Sequence, residues 1–183
     1  MSLYNIAVVI GNPNDRSRTK VLALALADAL AAALPAHLQV QRQVLEIARL
    51  APHITSGGHG SDLPAEGAAA VRVIETADLL IAATPVYKGS YTGLFKHLFD
   101  LVAPDALVGR PVLLAATGGS DRHALVVDHQ LRPLFGFFRA LTVPSAVYAA
   151  DADFDGYVMR SDALRARIQE AAAQAAALLA ARQ

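Results

Sequence analysis

No cysteine occurs among the 183 residues. That excludes a disulfide framework, a thiolate nucleophile and a zinc or iron–sulfur centre held by Cys, while leaving the compartment open. Net charge is missing too, because 16 basic and 16 acidic side chains cancel. A neutral chain has no built-in attraction for nucleic acid or an anionic bilayer, so neither is expected as a partner. A local basic cluster can still hold a phosphate. No apolar run approaches the roughly 18 residues that cross a bilayer, and no signal-type segment opens the chain, so a cytoplasmic protein is expected. Glycine motifs of the Gly-x-Gly-x-x-Gly and Walker types are absent, which argues against a Rossmann dinucleotide site and a nucleoside triphosphatase. There is no catalytic triad and no metal-binding helix motif, and His37, His53, His59, His97 and His123 have no metal-ligand spacing.

What is present is a globular composition, 54% hydrophobic and 17% charged, of a size that suits a single domain over residues 1–183. Short aliphatic runs at Ile6–Ile10, Leu38–Leu45, Leu79–Ala83, Pro111–Ala116 and Val143–Ala149 read as strands. Between them lie segments with helical spacing: Thr19–Leu34, Gly67–Ala77, Thr92–Leu101, Leu125–Leu141 and Asp162–Arg182. The first, third and fourth strands are nearly unbroken hydrophobic runs, as expected of a parallel sheet covered on both faces. The alternation predicts a three-layer α/β/α sandwich around a five-stranded parallel sheet. The stretch Arg49–Glu66, with Pro52, Gly57, Gly58, Gly60 and Pro64, reads as a surface loop.

Ligands of such sheets bind beyond the carboxyl ends of the strands. Three loops there carry distinctive residues. After the first strand, Gly11–Thr19 leads small polar residues into a helix N-terminus, with Arg16 and Arg18 adding charge for a phosphate. The same residues also suit a turn in which Asn14 or Ser17 caps the helix. After the third strand, Thr84–Gly93 offers flat apolar surface from Pro85, Val86 and Tyr87, with backbone donors beside it, which suits an isoalloxazine ring. After the fourth, Thr117, Gly118 and Gly119 let backbone N–H groups approach a ligand edge, where they would stabilise negative charge on a reduced flavin. Taken singly, each is equally an ordinary turn or a packing aromatic; taken together after three neighbouring strands they point to one site.

Two further segments stand out. Pro133 lies inside the Leu125–Leu141 helix and cannot donate to the carbonyl of His129, so a kink or π-bulge is expected there. That helix is apolar on more than one side, through Val127, Leu131, Leu134 and Phe138 and also Val126, Phe137 and Leu141, which predicts packing against a second subunit. The run Asp151-Ala152-Asp153-Phe154-Asp155-Gly156 matches most of a calcium loop, but Asp162 stands where a glutamate is wanted and a strand precedes it, so an acidic loop capping the last helix is the better reading.

The segments Ser17-Arg18-Thr19, Ala83–Lys88, Tyr91-Thr92-Gly93 with Lys96, Ala116–Gly119 and Asp128–Leu134 resemble the NAD(P)H-dependent FMN reductase family. The likeness is strongest to the reductase components of two-component alkanesulfonate and methanesulfonate monooxygenases, and it spans roughly Ile6 to Asp153. It implies a flavodoxin-like fold, FMN as substrate or cofactor, NADPH or NADH as hydride donor, and reduced flavin passed to an FMNH2-dependent monooxygenase. By position, Asn12, Arg16, Ser17, Arg18 and Thr19 would hold the phosphate. Asn12 stands where many relatives place a serine. Pro85, Val86, Tyr87 and Lys88 would line the ring, and Thr117, Gly118 and Gly119 its pyrimidine edge. No residue is assigned as catalytic, with His129 a modulator at the helix bulge, and a homodimer or homotetramer is implied. An FMN-retaining quinone or azo reductase, or an electron-carrying flavodoxin, remain as alternatives on the same fold.

Overall fold

The computed structural model describes residues 3–56 and 63–181. Five strand positions form a parallel sheet in the order β2 (Gln39–Glu46), β1 (Leu3–Ile10), β3 (Leu79–Pro85), β4 (Pro111–Gly118) and β5 (Leu141–Thr142), with β6 (Val147–Ala150) also paired to β4. This order is that of the flavodoxin-like doubly wound sheet, and it reverses direction between β1 and β3, where a crevice opens.

Alternation along each central strand divides two dissimilar cores. Ile6, Val8, Ile10, Ile81, Ala83, Leu113 and Ala115 face α1 (Arg18–Ala33) and α6 (Asp162–Ala180). There the helix surfaces are largely alanine, including Ala23, Ala27, Ala171, Ala172 and Ala175, which lets two helices and a sheet approach closely. Ala7, Val9, Leu80, Ala82, Leu114 and Ala116 face the opposite layer. That layer holds α2 (Ile47–Thr55), α3 (Ala65–Thr76), α4 (Gly93–Asp100) and α5 (Arg132–Phe137). Small strand residues here make room for a chain of rings, Phe95 to Phe99 at 4.8 Å and Phe99 to Phe135 at 4.9 Å between centroids.

Three expectations need correction. The fifth strand is not one run over Val143–Ala149: it is the two short pieces β5 and β6, both along β4. Pro144 cannot donate to a ladder, and Ser145 turns instead to α6, its N–H donating to Gln174 Oε1 at 2.8 Å and its hydroxyl to Glu170 at 2.7 Å. The Leu125–Leu141 helix is likewise shorter and composite. A π-helical segment, Val127–Leu131, precedes α5, and the Arg132 N–H reaches back five residues to the Val127 carbonyl. The helix ends in a Schellman turn, with Arg139 at φ +54°, Ala140 N–H bonded to Phe135 O and Arg139 N–H to Gly136 O. Finally, Arg49–Glu66 is not loop throughout, since α2 occupies its start despite Pro52. Ile47 and Ile54, two turns apart, are both fully buried, and His97 Nε2 lies 2.6 Å from the Ile54 carbonyl. Gly67 sits so near the His53 carbonyl that a Cβ would lie 2.3 Å from it, so a glycine at 67 lets α3 close on α2. The glycines at 57, 58 and 60 and His59 lie outside the described residues.

Candidate functional site

A cleft of roughly 270 Å³ opens at the carboxyl ends of β1, β3, β4 and β6. It is built by the three loops singled out above, and buried hydrogen bonds tie these to one another. Thr19 and Thr117 share a hydroxyl hydrogen bond of 2.6 Å, joining the first loop to the third. Val86 N–H donates to the Thr117 carbonyl at 2.7 Å, joining the second to the third. The Thr92 hydroxyl caps α4 and donates to the Gly11 carbonyl at 2.8 Å, joining the second to the first. Gly11 is packed so tightly against Phe95 that a Cβ would approach its ring to 2.6 Å. Such cross-links hold the walls in place before any ligand arrives.

The first loop ends at a capped helix N-terminus, a geometry suited to an anion. Ser17 is the N-cap of α1: its side-chain oxygen accepts from Lys20 N–H at 3.1 Å, which leaves its own proton free to donate outward. The helix offers no internal partner to the N–H groups of its first turn, and its dipole places about half a positive charge there. Asn12, buried, accepts from Asn14 N–H at 2.7 Å in an Asx turn that shapes the approach. Arg16 and Arg18 line the wall beside Ser17 and Thr19.

Pro85, Val86 and Tyr87 form an apolar wall of the same cleft, with Tyr87 46% exposed. Tyr87 opens a tight turn closed by reciprocal bonds with Ser90, 2.8 and 3.2 Å, whose two corner residues, Lys88 and Gly89, have φ of +53° and +84°. Glycine suits such a corner; a lysine there is held by the turn rather than by preference. Lys88 is not among the residues that line the cleft. The Ser90 hydroxyl donates to Gln130 Oε1 at 3.0 Å, so the turn is fastened to the π-helical segment. His129 lies on that segment, exposed and outside the cleft.

Thr117, Gly118 and Gly119 complete the walls. The Tyr148 hydroxyl donates to the Ser120 carbonyl at 2.6 Å, fixing this loop from the next strand. A Cβ on Gly118 would fall 2.2 Å from that hydroxyl, so only glycine is accommodated. Burial, then the nearby carboxylates of Asp121, Asp151 and Asp153, push the Tyr148 phenol above its ordinary range.

Two lining residues were not anticipated, Asp151 and Tyr157. Both follow β6, whose end lies at the same rim. Arg18 donates from Nη1 to Asp151 Oδ1 at 2.7 Å and from Nε to the Gly156 carbonyl at 2.9 Å, while Arg16 stacks 4.2 Å above the Tyr157 ring. The segment folds as a small hairpin of β7 (Phe154–Asp155) and β8 (Val158–Met159), not an open acidic loop. Its carboxylates go to separate partners: Asp153 accepts from Ala150 N–H at 2.8 Å, and Asp155 pairs with Arg160 at 3.5 Å. Ser161, not an acid, caps α6. The rule that ligands gather at carboxyl ends of strands applies to β6 as well and was the signal available for Asp151.

Comparison with known proteins adds identity to this geometry. The profile of a family described as NADPH-dependent FMN reductase matches residues 4–155. The chain is 54% identical over 155 residues to the NADH-dependent FMN reductase SfnF of Pseudomonas fluorescens, covering 85% of this chain and 83% of that one. It is 50% identical over 177 residues to an FMN reductase (NADPH) of Pseudomonas aeruginosa, covering 97% and 93% respectively. Among solved structures, an oxidoreductase from Corynebacterium diphtheriae matches with a TM-score of 0.90 at 35% identity, over 100% of this chain and 99% of that one.

Proposed function

The chain belongs to the NADPH-dependent FMN reductase family, and from that premise we propose that the cleft receives FMN through the three tied loops and releases it, reduced, to a partner monooxygenase of the sulfonate type. It is an NAD(P)H-dependent flavin oxidoreductase that uses FMN. When bound, the flavin ring supplies the hydride-accepting chemistry, so no acid, base or nucleophile is asked of the protein. Its residues have the tasks of binding and orienting.

Ser17, Thr19 and the first N–H groups of α1 would take the phosphate, with Arg16 and Arg18 supplying charge and Asn12 shaping the turn. Pro85, Val86 and Tyr87 would cover one face of the ring. The N–H groups at Gly118 and Gly119, on a loop braced by Tyr148, would address its polar edge. Support for flavin that comes and goes lies in the shallow cleft and in the 46% exposure of Tyr87 and 40% exposure of Tyr157 at its walls. The exposed Phe137, beside an apolar groove formed with Phe99, Val102, Pro104 and Leu134, supports the reading of a homo-oligomer.

The observation that carries the assignment is the meeting of a helix-capped anion end and a flat apolar wall in one pre-braced cleft. The test is oxidation of NADH and NADPH by purified protein, with and without added FMN, after the flavin spectrum as isolated has been recorded. Nearly colourless protein that turns over only with added FMN is expected. Yellow protein reducing quinones or azo dyes without added FMN would replace this reading with that of a flavin-retaining reductase, and no oxidation in either case would refute both.

A further inference from the structure

We propose that Asp151 sets the affinity of the flavin site, its carboxylate competing with the FMN phosphate for the Arg18 guanidinium so that the flavin is able to leave. The proposal rests on the reading of the cleft as an FMN site and goes beyond it by naming the group that weakens it.

Both cations of the phosphate loop are engaged by one segment, residues 151–157. Arg18 holds Asp151 Oδ1 at 2.7 Å and the Gly156 carbonyl at 2.9 Å, and Arg16 lies 4.2 Å over Tyr157. Asp151 is the one carboxylate among the described residues that line the cleft, where it stands with Ser17, Arg18 and Thr19. The other acids of the segment are committed elsewhere, Asp153 to the Ala150 N–H and Asp155 to Arg160.

A phosphate arriving at the α1 N-terminus meets a guanidinium already hydrogen-bonded through Nη1 and Nε. Arg–phosphate pairing is strongest when two parallel N–H groups are offered, so a phosphate that takes the Nη1 proton now given to Asp151 requires Asp151 to let go. Were it to stay, a dianion and a carboxylate would share one cation, and their repulsion would offset part of the attraction. Either route makes flavin binding weaker than the helix terminus and two arginines would otherwise allow. The Asp151 side chain is 53% exposed, so once released it is hydrated. Its opposition is therefore a modest brake on affinity and not a block.

Asp151→Asn isolates the charge, because the amide oxygen still accepts from Arg18 while the negative charge is gone. Dissociation constants for FMN and for riboflavin, which lacks the phosphate, are measured by flavin fluorescence quenching on the full chain. Asp155→Asn serves as control: it removes a charge from the same hairpin without touching Arg18. The expected result is FMN binding about threefold tighter in Asp151→Asn, as befits a half-exposed charge, with riboflavin affinity unchanged and Asp155→Asn like the parent. Unchanged or weaker FMN binding in Asp151→Asn would overturn the proposal, the weaker case making Asp151 a positioning residue for Arg18. Equal affinity of the parent for FMN and riboflavin would overturn it while leaving the flavin cleft standing. A parent protein that binds neither flavin would remove the cleft assignment and the proposal together.

Discussion

Tyr148 shows how one side chain can hold a wall of the site while touching it only through the backbone. Its hydroxyl donates to Ser120 O and crowds Gly118, and burial together with three nearby aspartates raises its pKa above the ordinary tyrosine value. A phenol that keeps its proton longer in the folded state than in the unfolded one contributes stability that is intact below about pH 10. That stability is lost as the pH climbs through the folded value, because the unfolded chain releases the proton first. Melting temperatures measured from pH 8 to pH 11 should therefore fall more steeply for the parent than for Tyr148→Phe. At neutral pH the variant should lose about 1 kcal/mol for the missing hydrogen bond. Equal slopes would mean that the phenol loses its proton at the same pH in the folded and the unfolded chain.

Among the elements, the segment from Val127 to Phe138 joins several separate tasks. Its π-helical start gives Pro133 a place in the helix without a broken bond at Arg132, whose N–H reaches Val127 O. Gln130 on the same stretch holds the turn that carries Tyr87. Its inner side packs Leu131, Phe135 and Phe138 into the aromatic layer, whereas Phe137 stands 67% exposed. An exposed phenylalanine contributes little to the fold of one subunit and much to an interface. Phe137→Asp should thus leave the far-ultraviolet circular dichroism unaltered and shift the protein to a smaller species in sedimentation velocity. An unaltered sedimentation coefficient would place any subunit contact elsewhere.

At the scale of the molecule, FMN binds the folded chain and has no cleft in the unfolded one, so it should stabilise by mass action. At a hundred times its dissociation constant the gain is about 2.7 kcal/mol. A melting scan with FMN at that excess should rise by several degrees, and riboflavin at the same concentration should raise it less if, as proposed, Ser17, Arg18 and the α1 terminus take the phosphate. Equal shifts for the two ligands would argue that the phosphate end of the cleft is not read. The two-sided core suits such a site. The alanine-rich face seats α1 close against the sheet, and with it the helix terminus from which Ser17 and Thr19 reach the cleft.

The local pattern determined the alternation of strand and helix, the layered α/β/α architecture and the three loops of the site; of the twelve residues that the family resemblance placed there, eleven line the cleft and Lys88 does not. These were legible because strand periodicity, helix capping and glycine turns are written within a few neighbouring residues. The π-helical segment was legible for the same reason, since a proline fixes which carbonyl it abandons. Tertiary structure decided what depends on distant partners. Pro52 stays within a helix because Ile47 and Ile54 are buried together, and the last strand divides because Ser145 turns to Gln174 and Glu170 on α6. Asp151 is separated from Arg18 by 133 residues. Its place at the cleft follows from β6 ending at the same rim as β1, a proximity created by packing and carried by no local spacing.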